Sequence, residues 1–264
     1  MRAAGIDIGS RTVKLVVIEH GQLVLTQKRL TLHDPLEMAS ELVRGVNYDT
    51  ITATGYGRHL FKSLHECGIV SEIKAFAMGA KAILPRCRLI LDIGGQDTKA
   101  ISLTAEGEMN KFEMNDRCAA GTGRFLEVMA AALGYTLEEF SKAALSAKRP
   151  EKINSMCTVF AESEVISLTA RGAARNEVAL GIHKAIVSRA VALLRRVSPP
   201  QEVFFAGGVA LNECMRALIG QELGVPVFVP PEPQIVGALG AALHAAGEAH
   251  EMRRTVEAVE VNRL

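Results

Sequence analysis

The strongest constraint on how this chain folds is a segment that it repeats. Ile6-Asp7-Ile8-Gly9-Ser10-Arg11-Thr12-Val13-Lys14 is echoed by Leu91-Asp92-Ile93-Gly94-Gly95-Gln96-Asp97-Thr98-Lys99. Each copy delivers a carboxylate at the end of an apolar strand, turns through glycine and returns through Thr and Lys. Glycine leaves no Cβ between the backbone and an approaching anion, so the N–H groups of such a turn can cradle phosphate. A single Asp-x-Gly is an ordinary β-turn. Two copies, each behind a buried strand, predict two equivalent lobes holding a polyphosphate between them. Asp7 and Asp92 are then the expected holders of a hydrated Mg2+, an ion that takes few carboxylates and keeps several waters. No P-loop competes as the nucleotide site.

The pattern around the repeat is α/β. Strands are expected at Gly5–Ile8, Val13–Glu19, Leu23–Leu30, Thr50–Thr54, Leu89–Asp92, Lys99–Leu103 and Val203–Ala206. Helical spacing covers Glu72–Leu84, Gly123–Leu133, Leu137–Ala147, a long stretch from Val159 to Val197, Asn212–Glu222 and Ile235–Ala246. With 264 residues, 48% of them hydrophobic, the chain can bury two cores. We expect a phosphate-binding lobe at 1–95 completed by a C-terminal helix at 238–264, and a second lobe at 96–237. The charged segment His250–Leu264 reads as an added helix, a partner-binding tail or a frayed end.

A third glycine pair, in Phe204-Phe205-Ala206-Gly207-Gly208-Val209-Ala210-Leu211-Asn212, lies between a strand and a helix. Placed after two phosphate hairpins it fits a nucleoside-contacting turn, with Gly207, Gly208 and Asn212 as its residues. Gly237, early in the Ala-rich helix, joins Gly9, Ser10, Arg11, Thr12, Gly94 and Gly95 in the expected nucleotide-binding set. Lys14 and Lys99 contact phosphate or cap the hairpin surface. Gln96 or Asp97 orients the attacking water, a choice the residues leave open.

A formal net charge of +1 gives no reason to expect a nucleic-acid partner, and no apolar run is long enough for a membrane span. The opening Met1–Gly5 leads into a strand rather than a signal peptide, so a cytoplasmic location is expected. Five scattered cysteines, an odd number without C-x-x-C spacing, do not suit a disulfide framework or a one-chain metal site. Cys67, Cys87 and Cys214 read as small buried hydrophobes. Cys118, amid Asp, Arg, Gly and Thr, has no apolar reason to be there. It and Cys157 are each read as standing just ahead of a helix, whose N-terminus favours a negative thiolate–metal cluster. Two ligands per chain make half of a four-iron site, and a two-fold axis through it would draw both cysteines from each of two subunits.

The paired Asp-x-Gly hairpins resemble those of the acetate kinase, sugar kinase, Hsp70 and actin superfamily, which implies a two-lobed, ribonuclease-H-like nucleotide-binding fold. The segments NDRCAAGTGRFLEV and CTVFAESEV, with LDIGGQDTK and FAGGVALN, look like the activators of 2-hydroxyacyl-CoA dehydratases, the BadF/BadG/BcrA/BcrD-type ATPases. That resemblance implies a homodimer bridged by one [4Fe-4S] cluster on Cys118 and Cys157 of each subunit, with ATP or ADP in each. It further implies reduction by a ferredoxin or flavodoxin, and ATP-driven passage of one electron to a separate iron–sulfur acceptor component, in an anaerobic cytoplasm. Arg11 and Val13 depart from the small or hydroxylated residues usual in the first loop. The competing expectations are a sugar-type small-molecule kinase and an actin-like assembly ATPase. His183 reads as a hydrogen-bonded or exposed helical histidine rather than a catalytic one.

Overall fold

The computed structural model describes residues 1–31, 33–155 and 157–247. The expected tail His250–Leu264 lies outside them. Two compact units divide the chain, one formed by Met1–Pro85 with the segment from Gln234 onward, the other by Arg86–Pro233. The first division precedes β6 (Leu89–Ile93), so the second Asp hairpin lies whole in the second unit rather than being cut at 95/96. The second falls at 233/234, ahead of the 237/238 boundary read from the sequence.

In the first unit β1 (Arg2–Ile8), β2 (Thr12–Glu19) and β3 (Gln22–Leu30) form an antiparallel meander, and β4 (Thr50–Thr54) and β5 (Gly68–Ile69) extend the sheet parallel to β1, in the order β3-β2-β1-β4-β5. Both faces are covered, which is why β1 and β2 read as near-continuous apolar runs. Ile6, Ile8, Val13 and Leu15 pack with Ala39 and Leu42 of α1 (Pro35–Val43) and Phe61 of α2 (Arg58–Leu64). Ala3, Val16 and Ile18 instead meet Ala238, Ala242 and Ala245 of a helix over 236–247. α3 (Glu72–Ile83) starts at Ser71, whose hydroxyl accepts from Lys74 N.

The second unit repeats this plan. β6, β7 (Thr98–Leu103) and β8 (Met109–Asn115) form the meander, β9 (Val203–Ala206) runs parallel to β6, and β10 (Val227–Phe228) runs parallel to β9, in the order β10-β9-β6-β7-β8. Leu89, Leu91 and Ile93 pack on Phe125, Phe140 and Ile186, which lie on α4 (Gly123–Ala132), α5 (Leu137–Ser146) and the long α7 (Arg175–Val197). The helical stretch expected from Val159 to Val197 is two helices. α6 (Thr158–Ala170) ends where Gly172 enters the left-handed region at φ 90°, and α7 restarts at Arg175. α8 (Glu213–Leu223) follows a 3-10 turn at Gly208–Leu211.

Candidate functional site

The two Asp hairpins share one register. Asp7 lies opposite Lys14 and Ile8 opposite Val13; Asp92 lies opposite Lys99 and Ile93 opposite Thr98. Residues facing each other across an antiparallel pair project on the same side. Lys14 Nζ therefore donates to Asp7 Oδ2 at 3.0 Å, and Lys99 Nζ to Asp92 Oδ2 at 3.2 Å. The turns close alike, Gly9 N on Thr12 O at 3.1 Å and Gly94 N on Asp97 O at 2.9 Å. Both aspartates are buried, and so is Lys99, which is no surface cap: its ammonium also reaches Asp97 Oδ2 at 2.5 Å. Ser10, Arg11 and Gln96 are exposed at the turn tips, while Gly9, Thr12, Gly94, Gly95 and Asp97 are half-buried.

Beside each carboxylate the parallel strand ends in a glycine that must be glycine. Gly55 (φ 87°) follows β4 and Gly207 (φ 85°) follows β9, both in the left-handed region that L side chains avoid. A Cβ on Gly55 would stand 2.6 Å from Asp7 Oδ1, and one on Gly207 would overlap Asp92 Oδ1 and Ile93 O. Gly207 was among the expected site residues; Gly55 was not, since its place depends on strand order. Gly237, in the first turn of helix 236–247, lies against Asp7, where a Cβ would stand 3.3 Å from Oδ2.

The structure turns the Asn212 side chain inward. As N-cap of α8 it accepts from Met215 N at 2.9 Å and from Ser141 Oγ at 3.0 Å, while its amide nitrogen meets His183 Nε2 at 3.0 Å. His183 is fully buried, with Nδ1 2.8 Å from Ala179 O. Burial pushes its pKa down to about 4, against the hydrogen bonds, so the ring is a neutral structural group.

Cys118 and Cys157 are exposed and free of disulfides; Cys87 and Cys214 are buried and Cys67 is half-buried. Burial pushes the Cys214 thiol up to about 12 and raises that of Cys67, so these are poor thiolate donors. Cys157 is the N-cap of α6, its carbonyl accepting from Ala161 N at 2.8 Å. Cys118 stands five residues ahead of the helix start expected at Gly123. It sits in the loop after β8, and α4 begins at Gly123 with Thr122 as its N-cap. α4 packs on α6, bringing the helices that follow the two cysteines together. Among the described residues no three His, Cys, Asp or Glu gather into a metal site; iron–sulfur clusters are held by thiolates. Two accessible thiols per chain suit that donor chemistry. Val159 and Phe160, next to Cys157 on α6, are 68% and 67% exposed, and Ile166 is 55% exposed.

Known proteins are similar to this chain over most of its length. Residues 4–245 match the BadF/BadG/BcrA/BcrD ATPase family. The activator of lactoyl-CoA dehydratase from Anaerotignum propionicum is 42% identical over 255 residues, covering 93% of this chain and 97% of that protein. The activator of the 2-hydroxyisocaproyl-CoA dehydratase from Clostridium difficile, solved with bound ADPNP, superposes with a TM-score of 0.88 at 35% identity, covering 97% of this chain and 98% of that one. Component A of the Acidaminococcus fermentans (R)-2-hydroxyglutaryl-CoA dehydratase gives 0.87 at 37% identity, covering 95% and 99%. The fold is that of the actin and sugar-kinase-like ATPases, a glucokinase matching at TM-score 0.61 and 12% identity, a likeness of fold alone.

Proposed function

We propose, from the premise that this chain belongs to the BadF/BadG/BcrA/BcrD ATPase family, that it is an ATP-hydrolysis-driven one-electron donor to an iron–sulfur acceptor such as a 2-hydroxyacyl-CoA dehydratase or a related reductase. The observation that carries this reading is that one unit contains both an Asp hairpin and both exposed cysteines, while the other cysteines are buried or half-buried. A sugar-type kinase or an actin-like filament has no use for two accessible thiols ahead of a pair of packed helices.

In this account Asp7 and Asp92, each kept in place by its lysine, are carboxylates that would suit a hydrated Mg2+. The turns at Gly9, Ser10, Arg11 and Thr12 and at Gly94 and Gly95 offer N–H groups to phosphate. Gly207 and Gly208 let the backbone approach the nucleoside, and Gly237 leaves room beside Asp7. Asp97 is engaged by Lys99, so Gln96, exposed at its turn tip, is the residue that orients the attacking water. Asn212 acts through the position of α8 rather than on the nucleotide.

Cys118 and Cys157 from each of two subunits hold one [4Fe-4S] cluster, which when bound supplies low-potential one-electron storage. Val159, Phe160 and Ile166 give the exposed apolar surface that a homodimer at this end would cover. A ferredoxin or flavodoxin is the expected reductant, in an anaerobic cytoplasm. Among the described residues no helix is long and apolar enough to cross a membrane.

Asp7→Asn tests the division of labour. ATP turnover falls by about 100-fold, the scale expected when a preorganised electrostatic group is lost, while bound iron stays at the wild-type level. Loss of iron together with turnover would show that the two sites are not separate.

A further inference from the structure

The second hairpin and the Cys118 loop are joined by a continuous set of hydrogen bonds. Thr98 begins β7 immediately after the phosphate turn, and its buried hydroxyl donates to Gly121 O at 3.0 Å. Directly across the β7–β8 ladder from Thr98 stands Asn115, whose amide donates to Cys118 O at 3.0 Å and Ala120 O at 3.2 Å. The turn itself grips the start of α4: Gly123 N donates to Gly94 O at 2.8 Å and Arg124 N to Gly95 O at 2.9 Å. Cys118, Ala120, Gly121, Gly123 and Arg124 are thus tied to the turn or to β7 and β8. Cys157 is held differently. The loop before it is folded onto its own helix by Glu164, whose carboxylate accepts from Asn154 N at 3.0 Å, Asn154 Nδ2 at 2.8 Å and Ser155 N at 2.8 Å.

Resting on the ATPase reading above, we propose that Thr98 and Asn115 are positioning residues that carry the nucleotide state of the second hairpin to the Cys118 thiol, by a hydrogen-bonded route that Cys157 lacks. A turn that shifts when the γ-phosphate leaves must drag or break these bonds. A carbonyl clamped by a buried hydroxyl moves with it, because an unmet buried acceptor is costly. The asymmetry would displace one cysteine of each subunit's pair relative to the other.

The test uses the full chain, iron-free and reduced, so it does not depend on the cluster. Alkylation of each cysteine by iodoacetamide is followed by peptide mass spectrometry under saturating Mg-ADPNP or Mg-ADP, with nucleotide affinity measured separately by calorimetry. In the wild type, the Cys118 rate differs between the two nucleotides by at least about fivefold, the low end of ordinary coupling, and the Cys157 rate by less. Thr98→Val keeps the shape and removes the hydroxyl, and Asn115→Leu removes the amide. In each the Cys118 ratio falls to unity with nucleotide affinity retained, and Thr98→Ser restores it. A merely structural role would change the Cys118 rate equally in both states and leave the ratio intact, which overturns the proposal. So does a wild-type ratio of unity with both nucleotides bound. Failure to bind either nucleotide overturns the ATPase reading as well, whereas bound nucleotide with no iron after reconstitution sinks only the cluster.

Discussion

Lys99→Met isolates the charge at the heart of the second hairpin. The Lys99 side chain is 3% exposed and lies between Asp92, 4% exposed, and Asp97, 29% exposed. Methionine retains an unbranched stem of similar length and removes the ammonium. Taking one partner from a buried ion pair costs about 3–5 kcal/mol, because the carboxylate left in low dielectric loses its counter-charge. The Asp97 contact adds little to this, since water reaches that carboxylate and screens it. With a urea m-value of about 2 kcal/mol per molar, the loss lowers the unfolding midpoint of the second unit by roughly 1.5–2.5 M. Lys14→Met is the internal control: its side chain is 13% exposed, with an ion pair to Asp7, and its midpoint shift is smaller. Urea titrations followed by far-UV circular dichroism read both. A Lys99→Met shift under about 0.5 M, or one no larger than that of Lys14→Met, would refute the claim that burial makes this pair structurally decisive.

Gly207→Ala places Cβ in the left-handed region at about 1–2 kcal/mol and pushes it into Asp92, so calorimetry detects loss of Mg-nucleotide binding; native affinity would contradict the tight approach. His183 supplies a pH dependence. Its folded pKa of about 4 lies below the ordinary 6.5, so the unfolded chain takes the proton more readily. The associated stability is full above pH 6.5, is lost as pH falls from 6.5 to 4, and amounts to about 3 kcal/mol. Urea midpoints across that window fall in the wild type, and His183→Gln flattens the slope; an unchanged slope assigns the loss to other groups. Cys118→Ser abolishes bound iron while calorimetry shows nucleotide binding intact, and iron retained at the wild-type level would remove Cys118 from the ligand set.

The hairpins were legible because their chemistry is local: strand, Asp, Gly and returning Lys lie within a few residues, and the duplicated pattern fixed their equivalence. Thr50–Thr54 and Val203–Ala206 were also read as they stand, both being short runs of strand-forming residues. The rest depended on tertiary neighbours. Gly55 takes meaning only from β4 lying beside β1. Asn212 belonged to a credible nucleoside turn until Ser141 and His183, distant in sequence, engaged its side chain. β8 is not legible in the sequence because Met109–Asn115 is an edge strand without a buried face, so its apolar and polar residues show no useful alternation. α1 does carry a local signal, Asp34 ahead of Pro35, and Asp34 caps the helix, accepting from Leu36 N and Glu37 N at 2.9 Å each.

The most direct test of the central claim is iron and acid-labile sulfide per dimer, with a visible spectrum, on protein purified without oxygen. The account predicts about four of each per dimer and a brown protein. No iron, even after anaerobic reconstitution, would reduce Cys118 and Cys157 to structural residues and contradict the assignment of a shared cluster.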